Sequence, residues 1–220
     1  MNNKSLALIH TSATLVPVFA TLCKDKLPGI VTFNIVDDCL VKGIRLAGSL
    51  TPAIARRVAG YLESAESAGA DYILVTCSSI GPAVEAAARF VGVPVLRVDQ
   101  PMADEAVRTG TRIGVIATLA TTLEPTADLI QRRAGAAGRQ IELTSRLCDG
   151  AFEPLMSGDS AKHDEIVSAA LKALTTQVDV VVLAQASMAR VVESFPPEEK
   201  RVPILASPSL AVEYLAGVLS

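Results

Sequence analysis

The sequence predicts an α/β protein of two pseudo-symmetric halves, each a mostly parallel sheet flanked by helices, with the active site in the cleft between them. Three observations carry that expectation. The composition is aliphatic and poor in aromatics, short apolar runs alternate with Ala-rich stretches, and the chain repeats itself internally.

Half of the 220 residues are hydrophobic, but only 4% are aromatic and Trp is absent. An apolar content dominated by Ala, Val, Leu and Ile suits strands buried on both faces. The charges nearly balance, with 20 basic and 23 acidic residues and a net charge of −3. That balance argues against a phosphate-tracking surface, and the scarcity of aromatics argues against base stacking, so nucleic acid is not an expected partner. The uncharged stretch 72–84 is too short and too polar to span a membrane, which takes about 20 apolar residues. The early apolar run ends at His10 and Thr11, too soon for a secretory signal, so a cytoplasmic location is expected.

Apolar runs at 5–9, 30–36, 72–76, 93–98, 112–117, 140–143, 178–184 and 202–205 read as strands. Helical patterns lie between them. In the clearest, Thr51 is the N-cap, Pro52 fits the first turn and Gly69 marks the stop. Residues 135–138 read as a turn, and His163, within Lys162-His163-Asp164-Glu165, reads as an exposed helix start.

The repeat is seen in three blocks that keep their order. Residues 6–11 lie over 113–118, residues 71–79 over 179–187, and residues 93–96 over 202–205. A tandem duplication accounts for them, with a first domain of residues 1–98 plus 206–220 and a second of residues 99–205. Ligands of open α/β sheets bind beyond the carboxyl ends of the strands, so the loop with Cys77 is expected to face the loop with Gln185.

Cys77 ends an apolar run and precedes Ser78-Ser79-Ile80-Gly81-Pro82, where Pro82 suits the first turn of a helix. Backbone N–H groups and a helix dipole there favour a thiolate, a base or nucleophile. Cys23, Cys39 and Cys148 read instead as small buried hydrophobes. With no Cys-x-x-Cys pair and two histidines, neither a disulfide framework nor a zinc site is expected. Asp37-Asp38 reads as solvated or capping, so no metal ligands are assigned. The Thr-rich segment Thr118-Leu119-Ala120-Thr121-Thr122 opens a helix containing Pro125 and offers an anion site for a carboxylate. Its repeat mate holds Thr11 and Ser12. Simple N-capping is the competing account of both loops. No dinucleotide fingerprint, P-loop or nucleophile elbow is present.

Val75-Thr76-Cys77-Ser78-Ser79, the matching strand end at Gln185 and the duplicated halves together resemble the aspartate/glutamate/hydantoin racemase superfamily. The resemblance implies two similar α/β domains and cofactor-independent proton transfer at the carbon α to the carboxylate of a small substrate. One cysteine from each half would act on opposite faces. Cys77 matches the first, and Gln185 stands where the second would fall. Glutamine has no group that titrates near neutrality, so it cannot act as a thiol does. Its amide N–H groups are suited to an enolate-like oxygen, and the competing reading is a structural amide. Thr118, Thr121 and Thr122 would hold the carboxylate, with Thr11, Ser12, Ser78, Ser79 and Ser187 around them. A racemase or isomerase leads, followed by a one-cysteine lyase or decarboxylase and by a non-catalytic carboxylate-binding protein. A two-fold homodimer is the default assembly.

Overall fold

The computed structural model describes residues 4–219, apart from the side chain of residue 193. The chain divides into two compact units, Met1–Asp99 with Pro208–Ser220, and Gln100–Ser207.

The first unit contains β1 (Ser5–His10), α1 (Leu15–Lys26), β2 (Val31–Val36), α2 (Cys39–Ala47), α3 (Pro52–Ser67), β3 (Tyr72–Val75), α4 (Gly81–Ala87) and β4 (Val95–Arg97). The second contains α5 (Gln100–Thr109), β5 (Arg112–Ala117), α6 (Ala120–Ala136), β6 (Glu142–Leu147), α7 (Phe152–Ser157), α8 (Ser160–Leu174), β7 (Val180–Leu183), α9 (Ala189–Ser194) and β8 (Ile204–Ala206). The last helix, α10 (Ser207–Leu219), packs with the first unit. Among the described residues no helix is long and apolar enough to cross a membrane.

Each unit has a four-stranded sheet with every pair parallel, ordered β2-β1-β3-β4 and β6-β5-β7-β8. The central strands read as unbroken apolar runs because alternate residues enter cores on opposite faces. In β1, Ala7 and Ile9 join Leu40, Val58, Leu62 and Val84 from α2, α3 and α4. Leu6 and Leu8 join Phe19 of α1 and Val212 and Leu215 of α10. In the second sheet, Val181 and Leu183 pack with Val167, Leu171 and Leu174 of α8.

Thr51 caps α3 as its sequence indicates: its Oγ1 accepts from the Ile54 N–H at 3.3 Å, Pro52 opens the helix and Gly69 has a φ of +88°. Three local readings need correction. The strand read at 140–143 starts at Glu142 and continues through Thr144, Ser145 and Arg146 to Leu147. Among the described residues it is an edge strand paired only with β5, so its ladder, not apolarity, sets its extent. Residues 135–138 are not a free turn, because α6 runs through Ala136 and only Gly138, at φ +66°, leaves the helical region. Cys39 is exposed rather than buried, because α2 turns Leu40 and Ile44 into the core.

Candidate functional site

In each sheet the chain leaves the first strand in one direction and returns on its other side. The order therefore reverses between β1 and β3, and between β5 and β7. Crevices at the carboxyl ends of such strand pairs are the usual ligand sites of open α/β sheets. The loops at these two points carry Thr11, Ser12 and Cys77 in the first unit, and Thr118 and Gln185 in the second.

Cys77 and Gln185 share a local geometry. Cys77 is extended (φ −132°, ψ 119°) before a 3-10 turn over Ser78–Ile80, and Gln185 is extended (φ −131°, ψ 135°) before a 3-10 turn over Ala186–Met188. Both side chains are half-buried, as is Ser187, while Ser78 and Ser79 are buried. The helix expected directly after Cys77 begins only at Gly81, behind that turn. A buried guanidinium packs against the turn's end: a Cβ on Gly81 would lie 2.2 Å from Arg97 Cζ. Arg97 cannot easily withdraw. It donates to Asp99 at 2.9 and 2.7 Å and to Glu85 at 2.6 Å.

Beside this loop, His10 is fully buried, with Nδ1 2.8 Å from Thr76 Oγ1 and Nε2 2.9 Å from Asn34 Oδ1. Burial pushes the imidazole pKa below its usual 6.5, and the Asn34 hydrogen bond only partly opposes this. The neutral ring that burial favours has one N–H, which the Asn34 carbonyl oxygen accepts from Nε2. Three adjacent strands are thus tied together at the edge carrying Cys77. In the next loop the Ser12 hydroxyl lies 2.8 Å from that of Thr14, and Thr11 is buried.

In the second unit Gln185 Oε1 accepts from the Thr118 backbone N–H at 2.5 Å and from the Thr118 hydroxyl at 2.9 Å. Two donors on one atom fix the amide's orientation, since the flipped group would set its NH₂ against them. Nε2 is therefore the end turned away from Thr118. Thr122 is buried, and Thr121 Oγ1 is buried without a partner among the described residues.

A profile of the Asp/Glu/hydantoin racemase family matches residues 9–215. The chain belongs to this family. Solved structures of similar fold include a glutamate racemase, isoform RacE1, from Bacillus anthracis (TM-score 0.72, 17% identity, covering 100% of this chain and 82% of that one). Others are an allantoin racemase from Klebsiella pneumoniae (0.71, 18%, 98% and 87%) and an aspartate racemase from Picrophilus torridus (0.73, 14%, 97% and 94%). At these identities the likeness is one of fold. No curated protein matches the chain in sequence.

In this racemase-family chain the thiols differ sharply in setting. Burial pushes Cys23 and Cys148 up to about 11, whereas Cys39 is exposed and Cys77 half-buried. Asp37, Asp38 and Cys39 place three donor atoms within 4.8 Å of one another. Both carboxylates already have cations, however: Asp37 pairs with Arg57 at 2.5 Å and accepts from the Tyr61 hydroxyl, and Asp38 pairs with Lys42 at 2.8 Å.

His163 is not on an exposed helix start. It is fully buried, the first residue of the α8 stripe His163, Val167, Leu171 and Leu174. A spacing of four, four and three is the signature of one helix face, and it was available in the sequence. Nδ1 lies 2.7 Å from Asp164 Oδ1, which also accepts from Arg190 of α9 at 2.7 Å. The Arg97 network was also missed. Its signal is a charge inside an apolar run, followed two residues later by an acid on the same strand face.

Proposed function

We propose that this chain is a cofactor-independent, isomerase-type enzyme that moves a proton at the carbon α to the carboxylate of a small substrate, with Cys77 as acid/base. The observation that carries the reading is the orientation of Gln185, whose amide nitrogen is left to donate. As thiolate, Cys77 takes the α-proton, and the C–H electron pair passes into the carboxylate to give an enediolate. Gln185 Nε2–H then donates to the developing oxyanion, a stabilisation stronger in the transition state than in the ground state. Return of the proton from the thiol completes the exchange. Thr118 acts through Gln185, while Thr121, Thr122 and Ser187 bind the carboxylate. Thr11, Ser12, Ser78 and Ser79 supply further donors to the substrate.

Matching strand orders and matching backbone at Cys77 and Gln185 support an origin by tandem duplication, with Gln185 standing where the family's second cysteine falls. A cytoplasmic homodimer completes the reading. The absence of a titratable group at Gln185 favours, as second reading, a one-cysteine lyase. There carbon–carbon cleavage releases CO₂ and Cys77 delivers one proton to one face.

The test incubates the protein in D₂O with amino acids, 2-hydroxy acids and substituted malonates, and follows α-deuteration and chirality by NMR. Exchange of the α-proton is expected, with racemisation where the enediolate is reprotonated on its other face; stereospecific exchange with CO₂ release selects the lyase. A ligand that raises the melting temperature while no α-proton exchanges would overturn both.

A further inference from the structure

A pocket of about 340 Å³ opens on the second unit, between the ends of α5 and α6. Three guanidinium groups line it, those of Arg108, Arg133 and Arg139, together with the Asp104 carboxylate. Val107 and Ala136 add an apolar lining. The pocket is remote from the strand-end loops of Thr118 and Gln185. α6 is 17 residues long, about 25 Å, with Thr121 and Thr122 in its first turn and Arg133 and Ala136 in its last. α5 ends at Thr109, just before β5 begins at Arg112, so the pocket stands at the amino-terminal edge of the sheet.

Backbone chemistry puts Arg139 there. Past the end of α6, Gly138 has a φ of +66°; its N–H donates to the Gly135 carbonyl at 3.1 Å, and the Arg139 N–H donates to the Ala134 carbonyl at 2.9 Å. This pair of bonds is a Schellman ending, which turns the residue after the glycine back against the last turn of the helix. An apolar side chain frequently makes that contact. Here it is an arginine.

Two of the three guanidiniums are held by carboxylates. Arg133 donates from Nε and Nη2 to both oxygens of Asp104, at 2.5 and 2.9 Å. Arg108 donates from the same two nitrogens to Glu105, at 2.9 and 2.5 Å. Each fork fixes a planar group and leaves its Nη1 without a partner among the described residues. Arg108 and Arg133 also answer the negative ends of their own helices. Arg139 has neither account. It is half-buried, its Nη1 donates to the Arg108 carbonyl at 3.0 Å, and no carboxylate pairs with it among the described residues. Three cations therefore meet two carboxylates, and one positive charge is left over.

We propose that this pocket binds a small organic carboxylate, a ligand additional to the substrate. One uncompensated charge fits a single carboxylate better than a phosphate dianion, and planar guanidiniums with free N–H groups suit a flat oxyacid. Val107 and Ala136 receive the apolar remainder of the ligand. Asp104 does not repel it, because both of its oxygens are engaged by Arg133. The volume lies in the ordinary range of small-molecule sites, roughly 300–1,000 Å³. The site is independent of the reaction proposed above.

NMR of the ¹⁵N-labelled protein tests this, with sodium benzoate replacing sodium chloride at constant ionic strength and inorganic phosphate titrated in parallel. Benzoate is expected to shift the Nε–H signals of Arg108, Arg133 and Arg139 with one common dissociation constant, and to bind more tightly than phosphate. Arg139→Gln, which keeps a donor for the Arg108 carbonyl, is expected to weaken that binding at least fivefold. Equal affinity in Arg139→Gln and wild type overturns the site, as do benzoate shifts confined to Thr118, Thr121, Thr122 and Gln185. Phosphate binding more tightly than benzoate overturns the assignment to a carboxylate.

Discussion

Gln185 Oε1 takes two hydrogen bonds from a single residue, the backbone N–H and the hydroxyl of Thr118. The two loops at the reversal point of the second sheet are thereby joined through one side chain. Gln185→Leu removes the acceptor and leaves the N–H of the buried Thr118 unpaired. A loss of about 1–3 kcal/mol is expected, read from urea unfolding. Gln185→Glu keeps an acceptor for Thr118 but loses both amide donors, so it should hold stability better than Gln185→Leu while α-proton exchange falls at least tenfold. Equal exchange in Gln185→Glu and wild type would remove the amide from the proposed chemistry.

The four cysteines should separate by setting. Cys23 and Cys148 are buried, with pKa values pushed up to about 11, whereas Cys39 is exposed and Cys77 half-buried. A neutral alkylating reagent at pH 7.5 is expected to label Cys39 and Cys77 in the folded protein, and all four only in denaturant. Peptide mass mapping checks this. Native labelling of Cys148 would contradict its place in the second unit's core with Ile116 and Ala151.

Gly81 has no room for a side chain, because Arg97 lies where a Cβ would go and is held there by Asp99 and Glu85. Gly81→Ala is expected to cost about 1–3 kcal/mol by overpacking. Arg97→Met should cost more, about 3–5 kcal/mol, since it strands the fully buried Asp99 carboxylate. Denaturation midpoints of the two variants decide the order.

His10 makes stability pH-dependent. Burial lowers its pKa from 6.5 in the folded state, so below that value the unfolded chain binds more protons. Its contribution is present above pH about 6.5 and is lost as the pH falls through the lowered value. Urea midpoints are expected to fall between pH 7.5 and pH 5, and His10→Gln should flatten that fall. The lowered carboxylates, such as Asp38 and Glu105, act in a separate window below pH about 4.

Much of the architecture was legible because it is written in local periods. Leu6 through Ile9 is apolar without interruption because both faces of β1 are covered, and Thr51-Pro52 with Gly69 brackets α3 by backbone chemistry alone. The edge strand β6 was misjudged because a half-covered strand needs no apolar run, only a partner. His163 was misjudged because adjacent charges outweighed a four-residue stripe that turns it inward.

By itself, the sequence determined the α/β class, the order of strands and helices, and the identity of the residues at the strand ends, Cys77 and Gln185 among them. Those follow from patterns that span a few residues. The tertiary structure alone decided which partner each polar group meets. Thr118 is 67 residues from Gln185, and His10 is 66 from Thr76 and 24 from Asn34. Such pairs form only when parallel strands come into register, and register is a property of the assembled sheet.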